Sequence, residues 1–279
     1  MADRALAGPP PELSLPERLV YLAGLYCWYL RIYARTLVEY RADTLISLAT
    51  SLLQQASWFL FLGVLVNRVP TLAGWGHAEL LFIFGFATTA RALSTTFLNA
   101  PFGITGTVRS GELDVLLVRP VGPLFQMIGL SQQPNALGIG LTGIPIMLYA
   151  ASDLGLHWTV SSALYLAVAL VCGATIRYAV LMVVALLTFW WEMRSLLYPM
   201  MWLYDFVRFP LDVFSWPVRA LLTYVIPFGV AGFYPAAYLL RPDEYGWALW
   251  GVPLTTVGLV ALIQVLWSVA LRHYESTGS

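Results

Sequence analysis

The sequence contains no lysine: all fifteen basic residues are arginine. That absence excludes a phosphate-binding G-x-x-x-x-G-K-[ST] loop, a Schiff-base lysine and an S-x-x-K nucleophile, so the chain has no usual means of powering itself with ATP. Charge of either sign is scarce, at 11% of 279 residues, and fifteen acidic residues balance the arginines. Zero net charge gives no overall basic field for nucleic acid, and no aromatic and basic ribbon suggests one. Two cysteines, Cys27 and Cys172, sit in apolar stretches with no second cysteine or histidine at ligand spacing. Neither a disulfide framework nor a metal site is indicated. The three histidines, His77, His157 and His273, fall in expected loops and the tail and read as ordinary polar surface, so no catalytic residue is assigned.

What the chain has is apolar bulk: 59% hydrophobic residues and 14% aromatics, against roughly 45–50% apolar in a soluble domain. This composition predicts an all-α polytopic membrane protein. A crossing takes about 20 apolar residues. The length therefore accommodates six or seven spans and no separate soluble domain.

Residues 1–16, with Pro9-Pro10-Pro11, read as a flexible leader rather than a cleaved signal, because Glu12, Glu17 and Arg18 precede the first apolar stretch. Residues 17–279 read as one transmembrane domain. Over 17–41, Arg31, Arg35 and Glu39 form a polar stripe at helical spacing among several aromatics, which predicts an interfacial helix on the membrane surface; a helix packed on its neighbours is the alternative. Spans are predicted at about 44–66, 78–100, 121–150, 159–190, 195–215 and 245–271. The third carries Pro134 and Pro145 and a small-residue face of Ala136, Gly140 and Gly143. Residues 220–240 are long and uncharged enough for a seventh, but Pro227, Gly229, Gly232 and Pro235 argue for a re-entrant external hairpin instead. Arginine counting places both termini and the loop near 110 in the cytoplasm.

Within that loop lies a charged island, VRSGELDVLLVRPVGP at 108–123. Ser110 is placed to cap a short helix whose first turn holds Glu112 and Asp114, with Leu113, Leu116 and Leu117 on one face and Arg119-Pro120 ending it. Charges around an apolar knob suit a protein interface. By periodicity alone a loop helix resting on lipid suits it equally.

At membrane depth the sequence has Arg91, Arg177, Asp205 and Arg208, each costing at least about 2.5–3.5 kcal/mol on insertion scales unless it faces protein or water. Asp205 and Arg208 are spaced to pair directly. Arg91 and Arg177 have no acid within a helical turn, so each needs a partner on another helix, a carbonyl or an anionic ligand. All four are candidates for a substrate path.

Four segments, RSGELDVLLVRPVGPLFQ at 109–126, FVRFPLDVF at 206–214, VIPFGVAGFYPA at 225–236 and HYESTGS at 273–279, give the chain a resemblance to the membrane subunits of type-2 ATP-binding-cassette (ABC) exporters of the short six-span branch. The first resembles that family's R-x-G-x-L-D-x-L-L-x-R-P signature. SQQPNALGIG at 131–140 departs from the family by its polarity. The resemblance implies that 104–119 is a coupling helix held by a separate ATPase subunit, with Arg109, Glu112, Leu113, Asp114, Leu116, Leu117 and Arg119 its coupling residues. It also implies ATP and magnesium on that partner and no cofactor in this chain, a second permease of the same or a related chain, and a place in a bacterial plasma membrane. The expected cargo is amphiphilic, drug-like, toxicant-like or lipid-like. Two other classes fit less well: an ion-coupled secondary transporter wants unpaired intramembrane carboxylates and an internal repeat, and a membrane-embedded enzyme wants paired catalytic groups at depth.

Overall fold

The computed structural model describes residues 14–68, 71–119, 121–190 and 196–274. Leader residues 1–13, Pro120, Arg194 and tail residues 275–279 lie outside the described residues, as does the side chain of Arg109. The described chain is helical throughout its regular structure, apart from an isolated bridge between Leu72 and Trp75.

Helix α1, Leu15–Glu39, starts where Ser14 donates from both its N–H (2.9 Å) and its hydroxyl (2.6 Å) to the Glu17 carboxylate. These two bonds hold the Glu17 carboxyl below its usual pKa, and the helix they start takes in Leu15 and Pro16, which the expected leader included. The chain turns at Tyr40 and continues as α2, Arg41–Arg68. Helix α3, His77–Phe97, begins where the Gly76 N–H donates to Glu79 at 2.7 Å. It is the axis of the fold, with an unbroken buried run from Leu80 to Ala92. Helix α4, Pro101–Arg109, and α5, Glu112–Leu117, follow, then α6, Pro123–Leu130, α7, Asn135–Asp153, and α8, Val160–Leu186.

Glycines let α7 lie directly on α3. A Cβ at Gly85 would stand 2.6 Å from the Met147 backbone nitrogen, and one at Gly143 would stand 2.9 Å from that of Thr89. Of the small-residue face of Ala136, Gly140 and Gly143, the two glycines lie on the seam with α3, where close backbone approach replaces side-chain interdigitation.

Among the described residues, five helical stretches are long and apolar enough to cross a membrane: Arg41–Val64, His77–Val108, Ala136–Asp153, Val160–Leu186 and Ala248–Arg272, the last lying in α14 (Ala248–Arg272). Two expected spans differ. The third is not one helix from 121 to 150, because the chain leaves helical geometry at 131–134 between α6 and α7. Pro134 offers no N–H and disfavours helix at Gln133, while Asn99 Nδ2 donates to the Ser131 carbonyl at 2.9 Å and holds the break. The fifth, expected at 195–215, is α9, Leu197–Asp205, followed by single 3-10 turns at Phe206–Arg208 and Leu211–Val213 around extended Phe209. Nine helical residues rise about 14 Å, half a hydrocarbon core; Pro210 forces Phe209 out of helix and stops the run.

The expected hairpin region is likewise broken, into α10 (Trp216–Ala220), a π turn (Leu221–Val225), α11 (Phe228–Ala231) and α12 (Phe233–Leu240), with α13 (Pro242–Tyr245) before α14. Both ends of this excursion sit at the His77 end of α3. Trp75 Nε1 donates to Asp212 at 3.1 Å, and Arg241 pairs with Glu79 at 2.9 Å while its ring-facing guanidinium lies 3.8 Å above the Trp75 ring. Its apex lies deeper, where a Cβ at Gly232 would meet Ala87 and Val207 and one at Gly173 would meet the Ala231 carbonyl. Ala87 is ten residues along α3 from His77, or about 15 Å.

Candidate functional site

Two features stand out: a segment fixed on the Phe97 end of the bundle, and a cluster of charges buried inside it.

The segment comprises α4 and α5. Ser110 does not cap α5, as its spacing suggests; it closes α4, and Gly111 occupies the cap of α5 with φ of 74°. A left-handed residue lets the chain reverse between two short helices, a conformation open to glycine at little cost. Glu112 and Asp114 do lie in the first turn of α5. The three leucines, however, do not form one exposed knob. Leu113 (0% exposed) and Leu116 (8%) turn inward into the buried cluster that also holds Met182, Ala185, Leu186 and Trp267 of α8 and α14, while α5 itself packs on α4 and α6. Leu117 (42%), Val115 (54%) and Val118 (83%) form the outward ridge. A six-residue helix has one face for its own protein and one to offer; periodicity could not say which leucines took which.

Gln126, which carried no sequence signal, binds this segment to α6. It is buried, and its amide Nε2 donates to the carbonyls of Leu116 (3.1 Å) and Val121 (2.6 Å). Arg119 Nη1 donates to Gln126 Oε1 at 3.4 Å. The C-terminal end of α14 completes the mount: Tyr274 packs on Phe189, and burial, then the neighbouring Asp114 carboxylate, push its phenol pKa up.

The charged cluster joins helices distant in sequence. Arg91 Nη1 on α3 donates to Asp205 Oδ1 at 2.8 Å. Arg208 Nη2 stands 3.1 Å from the same oxygen, without hydrogen-bond alignment, and its Nη1 donates to Gln55 of α2 at 3.4 Å. Arg177 on α8 donates to the Ser94 hydroxyl at 3.0 Å and lies 5.4 Å from the centre of the Tyr204 ring. Tyr204 in turn donates to the Ala87 carbonyl at 2.9 Å. Aromatic faces supply what carboxylates do not: Arg208 also stacks at 5.2 Å on Trp58 and 5.3 Å on Phe84, contacts that attract a cation most when it is desolvated. The expected Asp205–Arg208 pair is thus a shared one, and Arg91 finds its acid on another helix. Gln55, Ser94 and Tyr204 were missed because none is unusual in an apolar helix.

Beside the cluster is a cavity of about 330 Å³. Arg91, Thr95, Asn99, Gln133 and Arg177 line its polar part; Phe102, Ile139, Leu197, Tyr198 and Met201 line the rest.

Helical stretches of spanning length packed around buried charge, with an exposed apolar ridge at one end and Arg-lined space within, are those of a multi-pass membrane protein. Residues 52–278 match the family described as ABC-2 family transporter protein, and the chain belongs to that family. It is accordingly an ABC permease subunit, the membrane component of a transporter whose ATP hydrolysis occurs in a partner ATPase. No curated protein and no solved structure matches the chain.

Proposed function

We propose that this chain forms half of the translocation pathway of an ATP-driven exporter, and that the ATPase subunit grips it at about 104–119. The observation that carries this reading is the two-faced α5: Leu113 and Leu116 are buried in the core cluster, with α5 packed on α4 and α6, and Val115, Leu117 and Val118 are left exposed at the bundle end. A force applied to that ridge passes through α4, which packs on the long helix α8, rather than being absorbed by a loop, as a rocking mechanism of alternating access requires. ATP and magnesium belong to the ATPase, and none to this chain.

In this reading the Phe97 end is cytoplasmic. Arg31, Arg35, Arg41, Arg109, Arg119 and Arg272 belong to elements meeting at that end, as does the middle of α1, whose Tyr26 hydroxyl donates to the Phe97 carbonyl at 2.9 Å. Arg68, Arg219 and Arg241 belong to the other, an imbalance of the kind that sets orientation. Residues 197–213 complete a sixth crossing in short pieces, 216–240 re-enters from the outside, and α1 lies at the interface. A second permease, the same chain or a related one, supplies the other half of the pathway in a bacterial plasma membrane, and the cargo is an amphiphile.

Co-expression with the cognate ATPase subunit, followed by purification through the permease, tests this. Leu117→Asp together with Val118→Asp abolishes capture of the ATPase while the permease still elutes as a folded species. Undiminished capture by that variant refutes the docking assignment.

A further inference from the structure

We propose that the cavity between α3, α8 and α9 binds the anionic head group of an amphiphile. The inference deepens the permease reading by naming the charge of its cargo.

Three arginines and one aspartate make a buried cluster with two positive charges in excess. Among the described residues Asp205 is the sole carboxylate in ion-pair range of Arg91 and Arg208, and Arg177 has none. Arg177 is 3% exposed, and its Nε has no hydrogen-bond partner. Thr95, buried on the same cavity, also has a hydroxyl without a partner. A guanidinium taken out of water with donors unused demands an anion, because an uncompensated buried charge is far costlier than a paired one. Both Arg91 and Arg177 line the cavity, so an anion placed there meets the two charges together, with Asn99 and Gln133 as further polar contacts.

The remaining wall selects what carries that anion. Phe102, Ile139, Leu197 and Met201 offer apolar surface, and Tyr198 adds an aromatic ring with one hydroxyl. A volume of about 330 Å³ lies at the small end of the roughly 300–1,000 Å³ of ligand pockets. It accepts a phosphate or carboxylate head with the first part of a chain, and leaves the rest of the tail outside. Guanidinium groups suit such heads because their planar fork of donors matches two oxygens at once.

The test uses the purified permease in dodecyl maltoside, with unfolding followed by tryptophan fluorescence, and titrates three probes: dodecyl phosphate, dodecyltrimethylammonium and inorganic phosphate. Dodecyl phosphate raises the melting temperature saturably, and the other two do not. Arg91→Gln and Arg177→Gln each raise the half-saturating concentration by about tenfold or more, and Arg177→Lys by less. Should the glutamine variants fail to fold, Met201→Glu answers the question: a carboxylate placed in the cavity wall removes the response to dodecyl phosphate and raises the melting temperature without it. A response unchanged by Met201→Glu, or equal stabilisation by the cationic amphiphile, overturns the proposal. Equal stabilisation by inorganic phosphate overturns the amphiphile and leaves a free anion as the ligand. These measurements use no ATPase, so loss of the binding response with intact ATPase capture sinks this proposal alone, and the reverse sinks the coupling reading alone.

Discussion

Asp205 Oδ1 lies 2.8 Å from Arg91 Nη1 across 114 residues of sequence, and the same oxygen is 3.1 Å from Arg208 Nη2. One carboxylate therefore ties α3 to the end of α9 and holds two of the three buried arginines. Removing one partner of such a group is worse than never having had it, because the remaining charges stay buried. Asp205→Asn is expected to destabilise the permease by about 3–5 kcal/mol, read as a fall in melting temperature in detergent. A double-mutant cycle with Arg91→Gln is expected to show strong non-additivity; additive losses would mean that the two side chains do not interact.

The long helices were readable in advance and this pairing was not, for a physical reason. Hydropathy reports transfer into lipid, so uninterrupted stretches such as 44–66 and 245–271 appeared close to the observed Arg41–Arg68 and Ala248–Arg272. The same measure passes over Phe209–Pro210, where backbone chemistry breaks a helix without lowering apolarity much; at Ser131–Pro134 the polarity is plain in the sequence, but the absence of charge let one span run through it. Which face of α5 meets its own protein is a tertiary fact; Leu113 and Leu117 are chemically alike and lie only about a turn apart. Arg91 announced a need for a partner on another element, but nothing local could name Asp205.

The excursion through 216–240 rests on close backbone approach. A Cβ at Gly173 would meet the Ala231 carbonyl, which is backbone and cannot swing aside. Gly173→Ala is expected to displace α11 and to destabilise by about 1–3 kcal/mol, as overpacking does. Gly63→Ala serves as control: nothing lies within 4 Å of its added carbon, so helix propensity alone makes it neutral or stabilising by up to about 1 kcal/mol. Equal melting temperatures for the two variants would contradict the contact.

At the opposite end from α5, the Tyr245 hydroxyl donates to Asp212 Oδ2 at 2.8 Å. Burial first, then that bond and the Asp212 charge, raise the Tyr245 phenol pKa above its ordinary 10.0. The folded state thus keeps a proton that the unfolded chain releases, and stability must fall as pH rises. The contribution is full below pH 10.0 and is lost on going up through the folded value. Melting temperature is expected to drop more steeply between about pH 9 and 11 for the wild type than for Tyr245→Phe, which starts lower but lacks the titrating group. Parallel curves would exclude the assignment.

Gly111 separates stability from coupling. Its φ of 74° places it in the left-handed region between α4 and α5, where a side chain costs about 1–2 kcal/mol. Its added carbon would also strain the turn that aims the Val115, Leu117 and Val118 ridge. Gly111→Ala is therefore expected to lower global stability by no more than that cost, because Leu113 and Leu116 still anchor α5, yet to reduce ATPase stimulation by the assembled transporter several-fold. Asparagine tolerates left-handed geometry better than alanine, so Gly111→Asn should recover a large part of that stimulation. If alanine and asparagine behave alike, the backbone conformation at this turn does not set the ridge, and the force from the ATPase enters the bundle elsewhere.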